Sequence, residues 1–316
     1  MKRIRIPLIV AWGVAVIGII LGSFLDLQIS TAIASSTNGF ALTVSAIGPT
    51  FGFAGVAVMG GGFIALAIKG KYPIGLKILF YVLAACCYGV SIYYSSGEYF
   101  GINGFYGAAP KWVGYLIVAP IEAAAVVGGF FLFKDCQNKN MWIVFCIIIG
   151  LLLIALIGII PTLKDNMHRP RYRILSAYDT IQFHNWWEPC KDYKTIMADN
   201  NILESDHFKS YPSGHTAEAS ILLVMVTFFP LANKKLEKYQ FPAFLIACGL
   251  VLFVALARIL AAAHFLSDVS TGATVTLTLV LIANEVVMRI KPLHSDILPP
   301  LKEVGASCSM TLTSQA

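Results

Sequence analysis

The chain alternates between long apolar blocks and polar connections. Eight apolar blocks can be drawn, each approaching the roughly 20 residues that a helix needs to cross about 30 Å of hydrocarbon. They cover, to within a few residues, 7–24, 51–68, 78–94, 113–133, 141–161, 217–231, 241–257 and 269–287. The sixth block is short, so its helix is expected to begin earlier, near Ser213. The pattern predicts an all-α, polytopic membrane helix bundle of about eight spans.

Composition agrees with this interpretation. The 316 residues are 57% hydrophobic and 13% charged, whereas a soluble domain is about 45–50% apolar and about 25% charged. The first apolar block exceeds the ~7–15 residues of a signal-peptide core, so it is predicted to be a retained span rather than a signal cleaved at Ala32-Ile33-Ala34. The seven cysteines include no CxxC pair and no metal-like cluster, so no disulfide framework is indicated.

Basic residues occupy alternate connections, before the first block and after the second, fourth, sixth and eighth. Since positive residues mark the cytoplasmic side, both termini are predicted to be cytoplasmic. The net charge of +6 is therefore assigned to topology, and nucleic acid is not an expected partner. The connection 162–212 is an exception, because it faces outward by parity but is basic. Its cations are Lys164, Arg169, Arg171, Arg173, Lys191, Lys194 and Lys209. Either this long loop escapes the charge rule, or its cations bind an anion.

Three polar segments, 164–173, 211–215 and 257–268, are predicted to emerge on the outer side, where they could form one site. Lys164, Arg171 and Arg258 supply cations, and arginine forks match phosphate oxygens. Ser213 and Gly214 open a helix, whose unpaired backbone N–H groups and positive dipole favour an anion.

The same segments supply candidate catalytic groups. His264 and Asp268 are spaced i and i+4, which would place them on one helical face with the carboxylate holding one imidazole N–H. The other ring nitrogen of His264 would then be a nucleophile, and His215 would be the general acid and base. These parts predict phosphoryl transfer through a phosphohistidine. No metal-ligand spacing accompanies them, so a metal-independent reaction without a cofactor is predicted.

At these residues the chain resembles the type-2 phosphatidic acid phosphatase (lipid phosphate phosphatase) superfamily, whose signatures are KxxxxxxRP, PSGH and SRxxxxxHxxxD. The first signature matches Lys164 to Arg171, with Tyr172 in place of proline. The second is intact at residues 212–215. The third matches Arg258, His264 and Asp268, with alanine in place of the leading serine. The register Arg169-Pro170 keeps the proline but breaks the spacing, so Arg169 is predicted to be auxiliary.

The resemblance implies a six-helix core with an outward-facing active site, over residues 78–291, which contain the long outer loop 162–212. Residues 1–77 would be additional N-terminal spans, and residues 292–316 a polar cytoplasmic tail. The implied substrates are lipid phosphates or diphosphates such as phosphatidic acid, phosphatidylglycerol phosphate or a polyprenyl diphosphate. The protein is expected in a cell membrane among membrane lipids. The sequence gives no indication of oligomeric state.

Other functions stay open at this point. The substrate could be a soluble ester such as a sugar phosphate, or the reaction could pass the phosphoryl group to a lipid acceptor. A transporter or a non-catalytic anion-binding protein is a further alternative, for which Glu122, in the middle of a span, is the deepest ionisable candidate. Trp186 and Trp187 in the outer loop could guide a lipid tail.

Overall fold

The computed structural model describes residues 2–96, 111–136 and 140–289. These residues form helices and loops, with no strand among them. The α-helices are α1 (Lys2–Ile33), α2 (Gly39–Lys69), α3 (Ile74–Ser96), α4 (Lys111–Phe133), α5 (Asn140–Leu153), α6 (Ile160–Met167), α7 (Tyr172–Leu175), α8 (Tyr193–Asp199), α9 (Gly214–Ala219), α10 (Ile221–Ala232), α11 (Gln240–Leu260) and α12 (Leu266–Arg289). A π-helix (Ile154–Ile159) joins α5 to α6, and 3₁₀ helices cover Ser205–Phe208 and Lys234–Tyr239.

Eight helical segments in the described part are long and apolar enough to cross a membrane, which confirms the predicted bundle. They are Ile4–Ile33, Gly39–Lys69, Ile74–Ser96, Trp112–Phe133, Trp142–Leu175, Gly214–Ala232, Lys234–Leu260 and Leu266–Arg289. The sixth begins as predicted, because Ser213 is the N-cap of α9 and its side chain accepts a hydrogen bond from the Thr216 amide. This cap satisfies one of the otherwise unpaired amides of the first turn.

Helix α2 lies in the middle of the bundle and packs along α3 and α4. A methyl group added at Gly61 would overlap the carbonyl oxygen of Val126, and one added at Gly129 would overlap that of Val58. The missing side chains therefore let the α2 and α4 backbones come into direct contact, as small residues do between membrane helices.

Helix α1 packs against α12 and α11, on the other flank of the bundle. Its Gly18 and Gly22 face α12, where added methyl groups would clash with Ser270 and Ser267. The first two helices thus belong to the same packed bundle as the rest. The division into additional spans 1–77 and a core 78–291 stays a prediction, and the tail 292–316 lies outside the described residues.

The connection between α6 and α9 is folded back onto the ends of the helices. It has its own small apolar cluster, which includes Ile174, Cys190 and Phe208. The Trp186 indole donates a hydrogen bond of 2.9 Å to the Ser23 hydroxyl, so the loop is attached to α1. This folded loop covers the region where the three polar segments lie.

Candidate active site

A π-helical turn in the fifth span sets the orientation of the first polar segment. The π-helix Ile154–Ile159 precedes α6, which carries Lys164. A π-turn adds a residue to the helix and re-orients the turns that follow it. The added methyl position at Gly214 lies 3.7 Å from Lys164 Nζ, so the first segment meets the second at this point. The backbone continues the contact, since the Ser210 amide donates to the Arg169 carbonyl at 3.0 Å.

The third segment joins the other two through backbone and side-chain contacts. The Ser213 amide donates to the Asp268 carbonyl at 3.0 Å, and the Arg173 amide donates to the Ala262 carbonyl at 2.9 Å. All three predicted segments are therefore brought together at one end of the bundle. Arg258 is in the last turn of α11 and is 6% exposed.

The predicted helical pairing of His264 with Asp268 is wrong in its local structure. His264 precedes α12, which begins at Leu266, and the chain turns at Ala262, whose φ of 56° is left-handed. Asp268 lies in the first turn of α12, and its Oδ2 accepts a hydrogen bond of 2.8 Å from the Phe265 amide. This capping contact fixes the carboxylate at the start of the helix. Asp268 Oδ2 is 3.8 Å from His264 Nδ1, which is within ion-pair range but too long for a hydrogen bond.

The imidazole of His264 is instead held by a backbone group. Its Nδ1 lies 2.6 Å from the Ser210 carbonyl oxygen. A carbonyl can only accept, so Nδ1 must carry the proton, and the lone pair of a neutral ring is then on Nε2. Burial holds the pKa of His264 well below its ordinary value, Asp268 opposes this shift, and Arg258 and Arg171 add to it. His264 is therefore neutral near pH 7, as a nucleophile requires.

Lys164, Arg171 and Arg258 form a group that we call the cation cluster. Arg171 and Arg258 are both within electrostatic reach of Lys164, as are the carboxylates of Asp206 and Glu218. Arg171 donates to the Asp206 carboxylate at 2.8 Å and to its backbone carbonyl at 2.9 Å. His215 follows Gly214 in the first turn of α9 and is 7% exposed, so the PSGH turn borders this cluster.

Arg169, predicted to be auxiliary, is fully buried and belongs to a second group. Its Nη1 donates to Asp268 Oδ1 at 2.6 Å, and its Nη2 donates to Asp26 Oδ2 at 2.9 Å. Its Nε donates to the His184 carbonyl at 2.8 Å. We call Asp26, Arg169 and Asp268 the carboxylate cluster. Through Asp268, this cluster lies on the Nδ1 side of the His264 imidazole. The cation cluster, by contrast, contains the cations predicted to bind phosphate.

Sequence reasoning missed several residues that complete the site, namely Asp26, Asp206, Glu218, Ser210 and Ser267. Asp26 had a usable signal, because it is a carboxylate at the end of an apolar block, and such residues are functional candidates by default. The others are short-range neighbours of motif residues with no spacing rule of their own. Within the described ranges, no group of three His, Cys, Asp or Glu side chains is placed to hold a metal ion.

Comparisons with known proteins agree with the motifs. Those with curated proteins and with solved structures gave no match. A family model, that of the PAP2 superfamily, matches residues 139–291, which contain all three signatures. Together with the eight apolar helices, this match supports a phosphatase-like membrane protein. The family indicated by the sequence is thereby confirmed, and residues 139–291 are the PAP2 superfamily region of this chain.

Proposed function

We propose that this protein is an integral membrane phosphatase that hydrolyses a lipid phosphate or diphosphate monoester through a phosphohistidine, without a metal. The observation that carries the proposal is the 2.6 Å contact between His264 Nδ1 and the Ser210 carbonyl. It supports the proposal because a proton on Nδ1 leaves the lone pair of a buried, neutral imidazole on Nε2, as the proposed nucleophile requires.

In the first step, His264 Nε2 forms a bond to phosphorus as the bond to the leaving oxygen breaks. Protonated His215 gives its proton to that oxygen, and the ring of His264 becomes a phosphorylated imidazolium. Asp268, 3.8 Å from Nδ1, stabilises this positive charge. In the second step, His215 takes a proton from water, the resulting hydroxide attacks phosphorus, and the bond to Nε2 breaks to release phosphate.

The cation cluster supports this chemistry because charge on the transferred phosphoryl oxygens needs fixed positive groups. Lys164 lies beside the start of α9, 3.7 Å from the added methyl position at Gly214. A larger residue than glycine would occupy the space in which an oxygen could approach the backbone amides of the turn. Ser213, Gly214, Arg171 and Arg258 are therefore the proposed phosphate-binding groups with Lys164.

An apolar groove favours a lipid over a soluble phosphate ester. It has a volume of about 430 Å³ and runs between α1, α11 and α12. Ala11 and Gly18 line it from α1, Ala255 from α11 and Ala273 from α12. Its lining also includes Thr216, next to His215 in the chain, and Leu266, two residues after His264. A hydrocarbon chain whose phosphate occupied the site could therefore lie in this groove.

The test is phosphate release by purified protein in mixed micelles containing a lipid phosphate and excess chelator. The wild type is expected to release phosphate, and folded His264→Ala is expected to lose about a thousandfold or more of the rate. Parallel assays with a sugar phosphate, and with a lipid acceptor in place of water, separate the soluble-ester and phosphotransferase alternatives. Full activity of His264→Ala would refute the nucleophile, and transport without phosphate release would favour the transporter.

A second experiment tests the lipid class. Ala255→Phe fills the groove, so it is expected to raise KM for a long-chain lipid phosphate several-fold and leave a short water-soluble ester unaffected. Leu245→Phe is the matched control, because Leu245 is 54% exposed on the same helix and does not line the groove. Equal effects of Ala255→Phe on both substrates would remove the groove from substrate binding.

We also propose that the site opens on the extracytoplasmic side of a cell membrane, as the positive-inside pattern indicates. Lys191 and Lys238 are exposed and lie in connections of opposite predicted sidedness. A membrane-impermeant thiol reagent added to intact cells should label Lys191→Cys but not Lys238→Cys, with the wild type as background. The reverse labelling would invert the topology.

A further inference from the structure

A carboxylate from the first helix reaches the candidate site, and the mechanism above does not use it. Asp26 is 2% exposed. Its Oδ2 accepts from Arg169 Nη2 at 2.9 Å, and its Oδ1 accepts from the Ser267 amide at 2.9 Å. The Ser267 hydroxyl also bonds to Oδ2. Asp26 is thus hydrogen-bonded to Ser267, the residue immediately before Asp268, and to Arg169, the counter-ion of Asp268.

Arg169 connects the two carboxylates. Its Nη1 donates to Asp268 Oδ1 at 2.6 Å and to the Ser267 hydroxyl at 2.9 Å. The guanidinium carbon lies 4.3 Å from the centre of the Phe265 ring. Arg169 and Asp268 are fully buried, so this charge arrangement is shielded from water and its members act on each other strongly.

The sum of charges explains why a second carboxylate is needed. Arg169 alone would neutralise Asp268, and a neutral pair exerts little field on the imidazole 3.8 Å away. With Asp26 ionised, two carboxylates face one guanidinium, and the carboxylate cluster then carries a net charge of −1. When the ring of His264 becomes a phosphorylated imidazolium, its positive charge brings the sum for these four side chains to zero, and the phosphoryl oxygens are left to the cation cluster.

We propose that Asp26 is a positioning residue for the phosphoryl transfer: it holds the far edge of Arg169, so that Asp268 keeps its negative charge available to His264. This inference rests on the proposed function. It extends the site to the first helix, which lies outside the family match at residues 139–291.

The packing of α1 supports this role. Gly18, Gly22 and Asp26 follow at intervals of four and share one helical face. A methyl group at Gly22 would lie 2.6 Å from the Ser267 amide nitrogen and 2.7 Å from Asp26 Oδ1. The glycines therefore seat α1 against the start of α12 at the level of the carboxylate cluster. A helix that only anchored the protein would gain nothing from a buried carboxylate, whose desolvation is costly.

The first test is Asp26→Asn, which keeps the volume and removes the charge. It is expected to lower kcat for a lipid phosphate by about tenfold or more and to change KM by less than about threefold. The groups acting directly on His264 are Asp268, Arg258 and Arg171, and Asp26 acts through Arg169. Loss of its negative charge makes His264 harder to protonate, so the acid limb of kcat/KM should move to lower pH.

The decisive test is the double variant Asp26→Asn with Arg169→Gln. Removing the guanidinium as well leaves Asp268 without a neutralising partner, so the double variant should have a higher kcat than Asp26→Asn alone. If Asp26 had only a structural role, the opposite result is expected: the kcat of the double variant would be no higher than that of the worse single variant. The controls on α1 are Ser30→Ala, one turn after Asp26, and Gly13→Ala, where an added methyl group meets nothing within 4 Å.

Two results would overturn the proposal. One is an Asp26→Asn protein with unchanged kcat and pH profile. The other is a folded double variant whose kcat is no higher than that of Asp26→Asn. If Asp26→Asn does not fold, the overturning result is a folded double variant that is as inactive as His264→Ala. Wild-type protein that releases no phosphate from any ester would instead refute the proposed function, so the two failures are distinguishable.

Discussion

Arg169 and Arg171 stand two positions apart in one loop, and both are buried, with 0% and 4% exposure. Their surroundings nevertheless differ. Arg169 lies between the buried carboxylates of Asp26 and Asp268. Arg171 pairs with Asp206, whose side chain is 48% exposed, and lies within electrostatic reach of Lys164.

Burial alone therefore does not separate a phosphate-binding arginine from a structural one. A guanidinium enclosed by carboxylates has its charge compensated within the protein, and its removal leaves uncompensated buried charge. A guanidinium that shares a partly hydrated acid with neighbouring cations is available to an incoming anion. Mutation of Arg169 should therefore mainly lower stability, whereas mutation of Arg171 should mainly lower turnover.

The largest effect is expected for Arg169→Ala. Two buried carboxylates would lose their counter-ion, which costs about 3–5 kcal/mol when a buried pair is broken. Thermal unfolding in detergent should show a large decrease in Tm, together with loss of phosphatase activity. Arg173→Ala is the control, since that side chain is 14% exposed and bonds to Asp206 at 3.3 Å. An unchanged Tm for Arg169→Ala would contradict the role assigned to the carboxylate cluster.

Arg171→Ala is expected to act on turnover. Loss of one fixed cation beside the transferred phosphoryl group should lower kcat/KM by about a hundredfold. Its pair with half-exposed Asp206 contributes at most about 1 kcal/mol, so Tm should change little. Arg171→Lys should recover only part of the rate, because an ammonium cannot bind two oxygens as a planar fork. A Tm decrease as large as that of Arg169→Ala would erase the distinction between the two arginines.

The pH profile gives a smaller but directional effect. Burial, aided by Arg258 and Arg171, holds the pKa of His264 well below its ordinary value, which is about 6.5. A nucleophile with a lowered pKa stays neutral as pH falls through that value, so kcat/KM should be lost only at lower pH. Arg171→Gln removes a positive charge and should move this limb upward, whereas Asp26→Asn should move it downward.

The measurement is kcat/KM across the acid and neutral range, with the ionisation of the substrate phosphate determined separately. Shifts of both variants in the same direction would show that the two clusters do not act on His264 with opposite sign. A wild-type limb above the ordinary histidine pKa would contradict the neutral nucleophile.

The smallest effect is expected at Trp186. Its indole bonds to Ser23 and stacks on Tyr211, with ring centroids 5.8 Å apart. Trp186→Ala should destabilise the protein by about 1–2 kcal/mol and lower kcat/KM a few-fold, because the loop above the site loosens. Ser23→Ala, which removes this hydrogen bond and the one from the Ser23 hydroxyl to the Ile19 carbonyl but keeps the indole ring, should cost less. Trp187→Ala is the control, as that ring is 48% exposed, and an equal effect at both tryptophans would remove the special role of the attachment to α1.

Much of the fold could be predicted from the sequence, because a membrane span is specified by the length and composition of one continuous segment. The helix start at Ser213 was equally local, since a capping residue acts within its own turn. The convergence of three segments could be predicted only because alternate connections must share a side of the membrane.

The residue partners could not be predicted in the same way. Asp26 and Ser267 are 241 positions apart, and no local pattern records that contact. The alanine run before His264 favours helix by propensity, but the amides of Ala263 and His264 both bond to the Arg258 carbonyl, and Arg173 bonds to Ala262. These tertiary contacts turn the chain before α12 begins. The i, i+4 spacing of His264 and Asp268 therefore does not place the two side chains on one helical face.

The π-helix at Ile154–Ile159 lets the fifth span hold one residue more than regular winding would place in the same turns. A π-turn is one residue added to an α-helix, and the wider turn absorbs that residue. If the same sequence wound as a regular α-helix instead, everything beyond this point would rotate by about 100°, and Lys164 would point away from the PSGH turn even though no residue of any signature had been altered. In this protein, the winding of aliphatic residues inside the membrane is therefore part of the specification of a charged group at its surface.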